Sequence, residues 1–70
     1  MRIKLQTLRI ARGYSQAAFS AAVGISRSHY SQIETGEKDP SLKVGIRIKH
    51  TLAYPDDDIF FNETRPVSRR

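Results

Sequence analysis

Residues 15–36 read SQAAFSAAVGISRSHYSQIETG, two short helical patterns meeting at a glycine. Ser15 offers a hydroxyl to cap a helix, and Ala17, Ala18, Ala21 and Ala22 supply strong helix propensity. Phe19 and Val23, four apart, share one face, and Gly24 stops the run. Ser26 is placed to cap a second helix, in which Tyr30 and Ile33 lie on one side while Arg27, Ser28, Ser31 and Gln32 take other directions. Gly36 ends it. A junction of Gly24, Ile25 and Ser26 is short enough to hold two helices at a steep angle.

Working outward, Ile3, Leu5, Leu8 and Ile10 alternate with polar residues in a pattern open to a strand or a helix. The good helix formers from Lys4 to Arg12, with Gly13 as a left-handed stop, favour a helix over about Ile3 to Arg12. Downstream, Asp39, Pro40 and Ser41 form a start signal for a helix over about Ser41 to Leu52. Its Leu42, Val44, Ile46 and Ile48 also alternate as a strand would, and Gly45 weakens a helix by about 1 kcal/mol. Tyr54 and Pro55 break the pattern. Asp56, Asp57 and Asp58 suit the positive N-terminal end of a short helix carrying Ile59 and Phe60. Residues 1–61 therefore read as one domain, and Asn62 to Arg70, with Pro66 and three arginines, as a basic flexible tail.

The chain has 70 residues, room for one small core, so apolar side chains at helical spacing are assigned to packing first. Its net charge of +5 favours anionic partners. No Asp or Glu occurs before Glu34, while Arg2, Lys4, Arg9, Arg12 and Arg27 are basic. The expectation is a basic face along a phosphate backbone. Cysteine is absent, which excludes disulfides and thiolate metal sites. No apolar run reaches the roughly 20 residues of a membrane span, and a soluble cytoplasmic protein is expected.

These residues resemble the lambda repressor and Cro-like (Xre-type) helix-turn-helix regulators of bacteria and phages. The resemblance runs from about Leu5 to Phe60 and is carried by Arg9, Gly13, Ser15-Gln16, Phe19, Val23-Gly24-Ile25-Ser26-Arg27, Tyr30, Ile33-Glu34, Gly36 and Pro40-Ser41-Leu42. It implies an all-α fold of four to five helices, the second and third forming the helix-turn-helix. It further implies a transcriptional regulator, expected to be a repressor, that binds double-stranded DNA through the major groove. Arg27, Ser28 and Gln32 match base-reading positions, chemistry that suits Arg to guanine and Gln to adenine. Gln16, Ser26, Arg12, His29 and Ser31 are expected at phosphates or the groove edge. Arg9 and Glu34 match a structural pair. Phe19, Val23, Ile25, Tyr30, Ile33, Leu42, Ile48 and Leu52 fill core positions. A homodimer on a near-palindromic operator follows, joined through Ile59, Phe60 and Phe61, with no cofactor and no metal. Gly45, where relatives carry a larger apolar residue, and Lys49, where they carry a small one, depart from the pattern.

Other functions fit less well. Catalysis needs convergent titratable groups, and His29 and His50 fall on different helices without a nucleophile motif. The Asp56 to Asp58 run lacks the spaced ligands and glycine of a calcium loop. A protein-interaction module or antitoxin-like partner built on the same fold is the alternative, against which stands the polar face of the third helix.

Overall fold

Ser15, Ser26 and Ser41 each turn a hydroxyl onto the backbone N–H three residues ahead, accepting from Ala18 at 3.0 Å, His29 at 3.0 Å and Val44 at 3.2 Å. Each satisfies one of the orphan donors at a helix start. The computed structural model describes residues 1–61, and the tail read at 62–70 lies outside them. The caps open α2 (Gln16–Val23), α3 (Arg27–Thr35) and α4 (Leu42–Leu52); α1 spans Ile3–Ala11, and a 3-10 helix spans Asp57–Phe60. Both segments whose alternation also suited strands are helical, because helical spacing gathers Val44, Gly45, Ile48 and Leu52 onto one buried face. Among the described residues there is no strand.

Gly24 makes the α2–α3 turn possible. Its φ of +88° lies in the left-handed region, where its N–H donates to the Ala21 and Ser20 carbonyls and closes α2. Arg47 reaches across from α4 to the Val23 carbonyl at 3.4 Å, placing a cation at the negative end of α2. At the end of α4, Ala53 adopts φ +54° without being glycine, a strain of about 1 kcal/mol.

The core consists of Leu5, Phe19, Val23, Tyr30, Ile33, Val44, Ile48, Leu52 and Ile59. Phe19 sits at its centre, edge-on to Tyr14 at 5.2 Å and to Tyr30 at 5.1 Å between ring centroids. Two expectations need correction. Leu42, the first residue of α4, is 82% exposed and is no core residue. Ile59 is fully buried, so it cannot serve a dimer surface: the 3-10 helix folds back on α1 and drives it into the core. Phe60 is half-buried and Phe61 is exposed.

The departure at Gly45 has a partner. The Phe60 ring lies over it, so that an added Cβ would stand 3.7 Å from two ring carbons. The acidic run is likewise accounted for. Asp58 binds Lys4 at 2.7 Å and Asp57 binds Lys49 at 2.6 Å, tying the 3-10 helix to α1 and α4. Lys4 holds the Asp58 carboxyl below its usual range, with help from the Tyr54 hydroxyl.

At the junction of α1, α2 and α3 lies a buried polar cluster centred on Glu34, which is 1% exposed. Its carboxylate accepts from Arg9 Nε at 2.8 Å, from the Tyr30 hydroxyl at 2.6 Å and from Gln16 Nε2 at 2.8 Å. Arg9 also donates to the Tyr14 carbonyl at 2.6 Å. Burial pushes the Glu34 carboxyl up, but the bonds from Arg9, Tyr30 and Gln16 outweigh it and hold the group below its ordinary value of 4.5.

Because Glu34 binds its proton less readily folded than unfolded, its contribution to stability is present above pH 4.5 and lost as pH falls through the depressed folded value. Acid titration followed by circular dichroism should show unfolding below the ordinary carboxylate range. Tyr30→Phe, which removes one of the donors, should cost about 1–3 kcal/mol and move that acid midpoint upward. An unchanged midpoint would remove Tyr30 from the cluster's energetics. Gly45→Ala should stabilise the domain by about 0.5–1 kcal/mol in thermal melts, since 3.7 Å is ordinary contact and the position is helical.

Candidate nucleic-acid interface

Helix α3 is buried on one side and open on the other. Tyr30, Ile33 and Glu34 turn inward, while Arg27 and Ser28 are exposed and Ser31 and Gln32 half-buried. Arg27, Ser31 and Thr35 follow at i, i+4 and i+8, with Ser28 and Gln32 beside them, so the five form one outward strip. Among the described residues, no hydrogen bond from the side chains of Arg27, Ser28, Ser31 or Gln32 ties them to the rest of the chain. Their donors and acceptors are open to a ligand.

The remaining candidates surround this strip with different degrees of freedom. Ser26 is exposed, and its oxygen already accepts from His29 N, which leaves its hydroxyl proton to donate outward. His29 is half-buried at the first turn of α3. Gln16 opens α2 but spends its amide nitrogen on Glu34, leaving its carbonyl oxygen and the exposed α2 start. Arg12 is exposed at the end of α1, and its Nε donates to the Leu52 carbonyl at 3.0 Å, capping α4. Thr35 joins the strip by its i+8 spacing from Arg27, although a residue one position before Gly36 reads first as part of the helix stop, and its hydroxyl donates to the Gln32 carbonyl at 3.1 Å.

The basic first half of the sequence is not a basic face. Arg2 and Arg9 are buried, and together with Lys4 they are bound to Asp39, Glu34 and Asp58. The acids of the second half fold back onto the cations of the first, which cancels the asymmetry seen along the chain. Among the described residues the lysines and arginines without an ion pair are Arg12, Arg27, Lys38, Lys43 and Arg47. Four of these five lie on α3, on α4 or on the loop between them. Glu37 and Asp56 are the acids without an ion pair there.

No helix among the described residues is long and apolar enough to cross a membrane. A helix-turn-helix family model matches residues 5–59, spanning all the elements above from Leu5 to Ile59. The chain is 36% identical to YqaF of Bacillus subtilis, across 99% of this chain and 95% of the relative. It is 33% identical to YgzD of the same organism and 33% identical to MJ0272 of Methanocaldococcus jannaschii, in each case across 90% of this chain and 96% of the relative. All three are described as uncharacterized HTH-type transcriptional regulators. No solved structure matches the chain significantly. The capped helix pair around Gly24, the family match over residues 5–59 and these relatives agree: the chain belongs to the Xre-like (Cro/C1-type) helix-turn-helix family of DNA-binding transcriptional regulators.

Proposed function

We propose that α3 enters the major groove and that Arg27, Ser28 and Gln32 read base edges there, making the protein a sequence-specific repressor. The observation that carries this reading is the asymmetry of α3, whose inner side is held by the Glu34 cluster while Arg27, Ser28, Ser31 and Gln32 on its outer strip keep their side-chain polar groups unspent. A rigid helix presenting unpaired donors and acceptors is what base recognition requires, because bidentate contacts tolerate little misplacement. Gln16, Ser26, Arg12, His29 and Ser31 are assigned to phosphates or the groove edge, joined by Lys38 and Lys43 from the adjoining loop and α4. In this reading the protein acts in the cytoplasm of a bacterial or phage-infected cell and catalyses nothing.

We further assign the active form to a homodimer on a near-palindromic operator, with two α3 helices about 34 Å apart. With Ile59 buried, the surface we assign to association is the groove of Pro40, Leu42, Gly45, Ile46 and Phe60, together with exposed Phe61; Ile3 and Ile10 are exposed separately, on α1. Leu42 and Ile46 lie four apart on α4 and are 82% and 54% exposed, a pairing that favours burial against a second copy.

Selection of binding sites from random duplex DNA should return a half-site repeated about one helical turn away. Against the selected duplex, Arg27→Ala and Gln32→Ala should each lose about 1–3 kcal/mol, concentrated at one base position. Lys43→Ala should weaken all duplexes alike and lower the salt dependence by about one unit of slope. Uniform losses from Gln32→Ala would remove it from base reading. In sedimentation experiments Leu42→Glu should weaken self-association at least about tenfold, by burying an unpaired charge, while leaving the monomer folded. Unaltered association would place the dimer surface elsewhere.

A further inference from the structure

Arg2 is buried, and nothing in the sequence marked it apart from the other cations. Its Nε donates to the Phe60 carbonyl at 2.8 Å. One terminal nitrogen donates to the carbonyls of Ile33 and Lys38, and the other to the Asp39 carboxylate. Its backbone N–H adds a bond to the Glu34 carbonyl at 2.8 Å. With a side chain 4% exposed, Arg2 is closed to any phosphate. Asp39, by contrast, is 89% exposed, so the carbonyls rather than the ion pair set where the guanidinium sits.

The acceptors fall at two places. Ile33, Glu34 and Lys38 belong to the C-terminal turn of α3 and the loop after it, and Phe60 belongs to the 3-10 helix packed on α1. The last carbonyls of a helix lack intrahelical partners, and a cation there is favoured by the helix dipole. One planar fork with five donors can meet carbonyls from several segments at once, which an ammonium cannot do in fixed geometry. Arg2 therefore pins the end of α3 remote from Arg27 to the 3-10 helix and the start of α1. Along a helix of 9 residues, roughly 13 Å, a tilt of about 5° at the pinned end moves the far end by about 1 Å. Such a shift is enough to break bidentate hydrogen-bond geometry.

We propose that Arg2 is a positioning residue for base recognition, setting the angle of α3 through the carbonyls of Ile33, Lys38 and Phe60 without touching DNA. This rests on the reading of α3 as the base-reading helix. Dissociation constants of the full chain for the duplex recovered by selection, and for a random-sequence duplex of equal length, give a specificity ratio. Each variant is measured at a temperature where circular dichroism shows it folded. Arg2→Met should keep its affinity for the random duplex within about twofold and lose about tenfold of the ratio. Arg2→Lys should give an intermediate ratio, and Asp39→Asn should keep that of the wild type. A folded Arg2→Met with the wild-type ratio overturns the proposal, as does an equal fall in both affinities, which marks a merely structural residue. If Arg2→Met does not fold, Arg2→Lys decides: a reduced ratio supports the assignment and a wild-type ratio overturns it. A wild-type protein that does not discriminate between the two duplexes overturns the base-reading role of α3 and this inference together.

Discussion

A single buried carboxylate organises this small domain. Glu34 belongs to α3, and its partners Arg9 and Gln16 come from α1 and α2. A charge so placed is tolerated only while its partners remain, since removing one leaves an uncompensated ion or donor in the interior. The three helices are thus held in one arrangement by directional bonds, where apolar packing alone would accept several. Tyr30 joins the two kinds of restraint, with its ring stacked edge-on against Phe19 and its hydroxyl on Glu34. Burial and the neighbouring carboxylate push its phenol well above the ordinary range, so it serves as a donor throughout.

Charge is sorted by this arrangement. A count along the chain shows cations first and acids later, yet folding lays the halves over each other and pairs them. Arg9 and Glu34 meet inside, Lys4 and Asp58 at the edge, and Arg2 ends among backbone carbonyls. Among the described residues the cations that stay without an acid are Arg27 on α3, Lys38 on the loop beyond it, Lys43 and Arg47 on α4, and Arg12, which caps the end of α4. The positive charge left unpaired after folding therefore belongs largely to other residues than the sequence order implied.

The outer side of α4 keeps apolar surface exposed. The Phe60 ring lies over Gly45 at a distance that would also admit a methyl group, while Leu42 and Ile46 remain outside. A groove lined by Pro40, Leu42, Gly45, Ile46 and Phe60 results. Ile59 goes the other way and becomes part of the monomer core, because the 3-10 helix is strapped to α1 through Lys4 and Asp58.

Much of this was legible from local chemistry. Serine caps, alanine propensity and a left-handed glycine at 24 act within a few residues, so the helices and the tight α2–α3 turn follow from the sequence itself. The outward strip of α3 follows too, since helical periodicity assigns Tyr30 and Ile33 inward and Arg27 and Ser28 outward. The pairing of Arg9 with Glu34 and the bracing of α3 by Gln16 are what the resemblance implies, and the place of the Tyr30 hydroxyl in that cluster needed the folded chain. Leu42, Ile59 and Arg2 were decided by tertiary structure alone. Which side of α4 meets α2, which way the last turn folds and which carbonyls surround a guanidinium depend on contacts between segments far apart in sequence, and local propensity carries no record of those.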